Sequence, residues 1–258
     1  MADAYSATAP AWGRGPSRIY DRLAVLLLGR SPVPLAGVRV LDVGAGTGAA
    51  SRAALAAGAA QAVALDRAFG MAGMAAHHAG SPAVVGDAVA LPFAGATFGA
   101  AVAAFALNHL TNPAAGLREM ARVTRPGGAI LAATYAADDG HPVKEAVQDA
   151  LAAHGWTEEP WFTAMGADAV PLLATIERCA EAAAAAGVVA HVEPVRVPFP
   201  ELSAVDLVAW RLGMAQHAPF VASLSSTDRG GLVADALARL GDAPPLVRSV
   251  IVLAAVRA

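Results

Sequence analysis

The 258-residue chain is long enough to bury one large core without disulfides, and Cys179, its single cysteine, has no partner within the chain. Hydrophobic residues make up 56% and charged residues 15%, but about a quarter of the chain is alanine, and no run of about 20 strongly apolar residues offers a membrane span. With a net charge of −3, Lys144 as the only lysine and the arginines scattered singly, no basic stripe exists to track a nucleic-acid backbone. The opening MADAYSATAP lacks the basic and apolar regions of a secretory leader, so the expectation is a cytoplasmic protein that handles a small molecule, with oligomeric state left open.

Val/Leu-rich runs alternate along the chain with helical patterns, which predicts an α/β fold with a mostly parallel sheet covered by helices on both faces. Strands are expected at 38–43, 62–66, 83–86, 98–107, 128–135, 188–197 and 246–256, each nearly continuous in apolar residues, as in strands covered on both sides. Helices should start near Ala49, Phe69, Pro113 and Pro171. In the third of these, Leu117, Met120, Ala121 and Val123 share one face opposite Arg118, Glu119 and Arg122, and RPGG at 125–128 should stop the helix and turn into the fifth strand.

Three segments, 1–35, 138–170 and 201–245, fall outside the alternation and read as helices appended to the sheet. They hold all four tryptophans (Trp12, Trp156, Trp161, Trp210) together with Phe162, Met165, Met214 and Phe220. Aromatic residues are only 5% of the chain, so their concentration there suits either an apolar wall around a ligand or the docking of the appendages.

The strongest local signal is VLDVGAGTGAAS at 40–51, a strand running through Gly44, Gly46 and Gly48 into a helix. Such a turn lets the backbone approach a ligand closely, because a Cβ at the glycines would collide with it. The spacing is G-x-G-x-G, not the dinucleotide G-x-G-x-x-G, and Asp42 precedes it, which repels a pyrophosphate and favours an ammonium or sulfonium group. Asp66 then ends the second strand where a carboxylate accepts both hydroxyls of a ribose, and Asp87, in GDAVALPF, follows the third. Each acid alone reads as a turn residue or helix cap, but three in order at successive carboxyl ends point to one ligand.

With VLDVGAGTG, ALDRAFGM, GDAVALPF and ALNHLTNPAAGLREMARVTRPGG, residues 37–136 resemble the class I S-adenosylmethionine-dependent methyltransferases, and among them the ubiquinone/menaquinone C-methyltransferase-like small-molecule group. The resemblance implies a Rossmann-like seven-stranded sheet whose last strand is antiparallel and inserted beside the sixth. It implies one domain over 1–258, with a helical N-terminal cap at 1–35 and a cofactor core at 36–137. Cap insertions over the acceptor would occupy 138–170 and 201–245, and the rest of the sheet 171–200 and 246–258. S-adenosyl-L-methionine would be the cofactor and S-adenosyl-L-homocysteine its product. Gly44, Ala45 and Gly46 would pack on its methionyl part and ribose, Asp42 would lie near its amino group, and Asp66 would hold the ribose. Arg67 and Met71 would sandwich the adenine, Asp87 and the Ala88 amide would meet its edge, the carbonyls of Ala104 and Phe105 would bind the ammonium, and Tyr20 would cover the whole. The chain departs from the family in reading Asn108-His109-Leu110 where a His-His-Leu is common, which removes one imidazole from the rim.

Methyl transfer from a sulfonium needs alignment in a dry pocket more than covalent machinery, although an oxygen acceptor also needs a base. His109 is the candidate base by its place in the motif, while His141, His154 and His217 in the appended segments could also face the acceptor, and His77, His78 and His191 suit structural or solvated roles. Asp138-Asp139 beside His141 is the only local acidic cluster and reads as a solvated pair; no metal site is expected, and Cys179 reads as a small core residue. The expected activity is methylation of a small, apolar, secondary-metabolite or quinone-like acceptor. The alternatives are a non-methylating cofactor binder or cyclase on the same fold, or an NAD(P)-dependent oxidoreductase, which the glycine spacing and Asp42 disfavour.

Overall fold

The computed structural model describes residues 2–258; Met1, where the expected N-terminal cap begins, lies outside the described residues. Among the described residues, β1 (Arg39–Val43), β2 (Gln61–Asp66), β3 (Ala83–Val85), β4 (Phe98–Ala104), β5 (Thr124–Tyr135), β6 (Ala190–Phe199) and β7 (Leu246–Val256) form one sheet in the order β3-β2-β1-β4-β5-β7-β6. The first five strands pair in parallel, and β7 runs antiparallel between β5 and β6. The strand order reverses at β1, where the chain leaves β3 and crosses to β4, so a crevice opens at the carboxyl ends of β1 and β4.

Helices α1 (Ala2–Arg14), α2 (Ser17–Leu28), α3 (Ala49–Ala56), α4 (Phe69–Ala79), α5 (Pro113–Val123) and α6 (Val143–Ala153) come first in the chain. They are followed by α7 (Pro160–Asp168), α8 (Ile176–Ala185), α9 (Ala204–Leu212), α10 (Ala218–Ser223) and α11 (Ser226–Leu240). Strand alternation sorts the core into two layers. Val102, Leu131 and Val250 pack with Leu23, Val147, Trp210 and Leu232 under α2, α6, α9 and α11, whereas Leu41, Ala101 and Ile130 face Leu117, Met120 and Cys179 of α5 and α8. Local chemistry sets the helix starts. Asn112 accepts the Ala115 amide ahead of Pro113, Thr175 accepts that of Arg178, and Ser203 and Asp206 cap α9 reciprocally.

Four expectations need correction. β4 ends at Ala104, not at 107, because Phe105 turns left-handed (φ +61°) and Leu107–His109 forms a 3-10 turn. RPGG does not precede β5 but lies inside it as an irregularity, with Gly127 and Gly128 bonded to Arg257 beyond β7. The expected helix at Pro171 is a short 3-10 turn, Val170–Leu173, and α8 starts at Ile176. The sixth strand spans Ala190–Phe199 and is an edge, with Val197 and Phe199 buried and its other residues exposed or half-buried instead of being covered twice; Val189, ahead of it, is 93% exposed.

Candidate functional site

A cleft of about 920 Å³ occupies the carboxyl edge of the sheet, and all thirteen residues expected at a site, twelve for a cofactor plus His109, line it. Its floor is built by the ends of β1, β2, β4 and β5, and its roof by α1, α2, α7 and the α9–α10 connection.

At the glycine loop, Gly44 and Ala45 donate their amides to the Leu65 carbonyl (2.8 and 2.9 Å), Gly46 donates to Asp66 Oδ2 (2.8 Å) and Gly48 to the Ala45 carbonyl (2.8 Å). These four amides, expected to face a ligand, are therefore consumed by the protein. The glycines also differ. A Cβ at Gly44 would overlap that of Ala106, one at Gly48 would press on Ala75 and Ala79 of α4, and only one at Gly46 would meet open space. Close approach by a ligand is thus a constraint at Gly46 alone.

Asp42 is buried, and its Oδ2 accepts the Ser51 amide (2.7 Å) and hydroxyl (2.8 Å), fastening β1 to the first turn of α3. Burial, offset in part by Ser51, raises its pKa to about 6. Asp66 Oδ1 accepts the Ala68 amide (2.8 Å) and Oδ2 that of Gly46, so each oxygen keeps a lone pair for a further donor; burial, opposed by these amides, raises its pKa. Asp87 stabilises its own turn by accepting the Val89 amide (3.1 Å). Met71 is buried with Ala9, Trp12 and Ala68, and Arg67 lies exposed on the rim.

Aromatic rings close the middle of the cleft. Phe105 stacks on Tyr135 (centroids 4.5 Å apart) with Tyr20 edge-on at 5.7 Å, Trp12 lies 5.1 Å from Tyr20, and Tyr5 joins Trp12, Trp161 and His109. A bulky residue held at positive φ is strained by about 1–3 kcal/mol, and here it redirects the chain after Ala104 while the Phe105 amide still bonds the Ala133 carbonyl (3.0 Å). Of the expected aromatic wall, Trp12, Trp210, Phe162, Met165 and Met214 line the cleft. Trp156 and Phe220 instead dock the appendages: Trp156 donates to the Gln216 carbonyl (3.2 Å), and Phe220 packs on the main core.

His109 is the last residue of the 3-10 turn, half-buried beside Tyr5, and burial lowers its pKa to about 4. The imidazole is neutral at physiological pH, hence able to accept a proton, but a weaker base than the near-neutral group expected. The other histidines offered for the acceptor do not line the cleft. His141 accepts the Val143 amide and contacts the Pro244 carbonyl, His154 sits 3.8 Å from Asp235, and His217, with its pKa lowered to about 4 by burial, bonds the Arg211 carbonyl under Trp156.

Asp139 is expected in solvent. Instead it is buried, receives two bonds from Arg248 (2.9 and 2.7 Å) and one each from Lys144 (2.9 Å) and the Ser249 amide (2.9 Å), and its pKa is lowered, these partners overcoming the cost of burial. The pairing partners lie about 110 residues apart, as Ser249 and Arg248 come from β7, so no local pattern could have found them. Among the described residues no cluster of three His, Cys, Asp or Glu side chains could hold a metal, and no helix is long and apolar enough to cross a membrane.

Residues 41–132 match a family model described as a methyltransferase domain. Demethylmenaquinone methyltransferases of Mycobacterium sp. (strain KMS) and Corynebacterium efficiens are 41% and 39% identical over 135 residues each, 52% of this chain and 56% of those proteins. The chain thus spans about half the length of the curated relatives it matches. Among solved structures, phosphoethanolamine N-methyltransferase 2 of Haemonchus contortus, in complex with S-adenosyl-L-methionine, shares the fold at a TM-score of 0.58 and 22% identity, covering 91% of this chain and 52% of that one. The [4+2]-cyclase SpnF does so at 0.55 and 22%, covering 92% and 80%. Residues 41–132 thus match a methyltransferase domain, the fold is shared with solved methyltransferases, and about half of the chain is similar to demethylmenaquinone methyltransferases.

Proposed function

We propose that the protein transfers a methyl group from S-adenosyl-L-methionine to a small acceptor with an apolar body. The observation that carries this reading is the row of carboxylates at or just beside successive strand ends, Asp42, Asp66 and Asp87, next to a loop whose Gly44, Ala45, Gly46 and Gly48 amides are already bonded. Such a floor suits a ligand that presents hydroxyl, amino and ammonium donors, and it is poorly suited to a pyrophosphate. The 41% identity to a demethylmenaquinone methyltransferase supports the same chemistry and an acceptor of quinone-like character.

In this reading Asp66 holds the ribose hydroxyls with its remaining lone pairs, Asp87 and the Ala88 amide meet the adenine edge, and Met71 packs on its face with Arg67 over the other. Gly46 lies against the ribose and methionyl part beside Gly44 and Ala45, Asp42 fixes the loop and favours the ammonium, and the Ala104 and Phe105 carbonyls accept from it. The bound cofactor supplies an electrophilic methyl whose displacement needs in-line alignment and exclusion of water. Tyr5, Trp12, Tyr20 and Phe105 supply that exclusion. His109, neutral and without a hydrogen-bond partner for its ring among the described residues, accepts the proton that an acceptor hydroxyl releases.

Calorimetric titration with S-adenosylhomocysteine, NAD and NADP tests the cofactor. Micromolar binding of the first alone is expected, and binding of a nicotinamide cofactor instead would overturn the reading. His109→Ala should lower turnover by about 10- to 100-fold, the low end for a general base, and leave homocysteine-compound affinity unchanged. Unchanged turnover would remove the base role.

A further inference from the structure

Of the four Lys and Arg side chains that line the cleft among the described residues, Arg211, Arg248 and Lys144 lie at its β5–β7 end, away from Asp42, Asp66 and Asp87. We propose that Arg211, Arg248 and Lys144 form the seat of an anionic group, a carboxylate or comparable oxyanion, carried by the acceptor. The proposal rests on the methyl-transfer reading and assigns the part of the cleft that the cofactor leaves free.

The balance of charge carries it. Asp139 is the one carboxylate among these cations, and its four acceptor positions are taken by Arg248 Nε and Nη2, Lys144 Nζ and the Ser249 amide. Three positive charges therefore face one negative charge that can take no more donors. Arg211 makes no ion pair among the described residues, its Nε is buried without a partner, and burial beside Arg248 lowers its pKa only to about 10, so it stays charged. Arg248, 3% exposed, leaves Nη1 unpartnered, and Trp210, 2% exposed, leaves its indole N–H unpartnered. All of these residues line the cleft. Buried donors without acceptors and a buried cation without a counter-ion destabilise a fold unless a ligand completes them.

Geometry favours an anion with an apolar body. The Arg248 guanidinium lies over the Tyr135 ring at 3.9 Å and over Trp210 at 4.8 Å, and Arg211 lies over Trp210 at 5.4 Å. The rings cover the faces of the guanidinium groups and leave their N–H edges to a carboxylate. Strand order places β7 four strands from β2, on the order of 19 Å at the usual strand spacing, so the seat lies well beyond the ribose-holding Asp66. The resulting acceptor is amphipathic: an apolar ring system against Phe105, Tyr20 and Met214, and an acidic group at the far end.

The carboxylate of the cofactor's own methionyl part shares this chemistry, and the test separates the two sources. The probes are 2-naphthoate and its neutral counterpart 2-naphthamide, titrated calorimetrically into the whole protein with and without saturating S-adenosylhomocysteine. The acid should bind at least about tenfold more tightly than the amide, as a charge-assisted hydrogen bond provides. Arg211→Gln should bring the two within about twofold of each other, Arg211→Lys should keep the preference, and Lys144→Gln should reduce it. Because no carboxylate among the described residues pairs with the Arg211 side chain, whose guanidinium lies over the Trp210 ring, Arg211→Gln should retain a Tm close to that of the wild type. Equal binding of acid and amide, binding of neither, or an undiminished preference in Arg211→Gln overturns the proposal. A tenfold loss of S-adenosylhomocysteine affinity in Arg211→Gln also overturns it, by assigning the seat to the cofactor. Failure of the wild type to bind S-adenosylhomocysteine strikes the methyltransferase reading instead, and the acid–amide comparison without it still decides the anion seat.

Discussion

Gly44, Gly46 and Gly48 share a left-handed backbone, with φ of +67°, +54° and +86°, yet each answers to a different neighbour. Gly44→Ala should destabilise the fold by about 2 kcal/mol, from left-handed strain plus overlap with Ala106, lowering Tm by roughly 4–8 °C. Gly46→Ala, whose Cβ points into open space, should lose only about 1 kcal/mol but weaken S-adenosylhomocysteine binding by tenfold or more. Thermal melts and calorimetry of the two variants check the contrast, and equal effects of both on stability and binding would show that one constraint governs the whole loop. Asp66→Ala should raise the Kd for the same compound by about 10- to 100-fold, the loss of one or two hydrogen bonds to a charged acceptor; an unchanged Kd removes Asp66 from the ribose. These residues were legible in the sequence because a strand end, a turn and its acid are neighbours in the chain. Asp139 was not, because its burial depends on Arg248 and Ser249 about 110 residues away, and two adjacent aspartates in a loop carry no sign of such partners.

The same difference of range separates the elements that sequence patterns fixed from those they blurred. β1, β2, β7 and α3 to α5 follow local periodicity and capping, and their positions were foreseen within a residue or two. β4 stops early because Phe105 turns left-handed, and β6 is an edge because β7 inserts beside β5, a matter of topology that apolar content does not encode. The α1–α4 contact is similarly hidden. Gly70 lies so close to α1 that a Cβ would overlap the Ser6 carbonyl, and its amide donates to Ser6 Oγ at 3.2 Å. Through this contact α1 holds Tyr5 and Trp12 over Met71 in a cluster separate from the two main cores. Gly70→Ala should lift α1 while the sheet stays folded: Tm should fall by only about 2–4 °C, whereas the Kd for S-adenosylhomocysteine should rise about tenfold. Should affinity persist while tryptophan fluorescence reports a displaced α1, the helix has no part in covering the cofactor.

At the scale of the whole molecule, Asp42 on one hand and His109 and His217 on the other set opposing pH dependences. Asp42 has its pKa raised from 3.8 to about 6, so its contribution is fully present below pH 3.8 and is lost as pH rises through 6, at most about 3 kcal/mol for a shift of about two units. His109 and His217 have theirs lowered from 6.5 to about 4, so the stability they confer is present above pH 6.5 and lost as pH falls through 4, at most about 3 kcal/mol each. Between pH 6.5 and 4 the aspartate therefore returns part of what the histidines remove, and the profile of the wild type is flattened. Asp42→Asn keeps an oxygen that accepts both Ser51 donors but cannot ionise. It should be more stable than the wild type by at most about 3 kcal/mol at pH 7 and by only about 1 kcal/mol at pH 4.5, so its own stability falls more steeply with acid. Urea unfolding of both proteins at the two pH values reads this directly. An advantage that does not change with pH would mean that the Asp42 carboxylate is ionised in the folded protein throughout, with a partner other than Ser51 holding its charge.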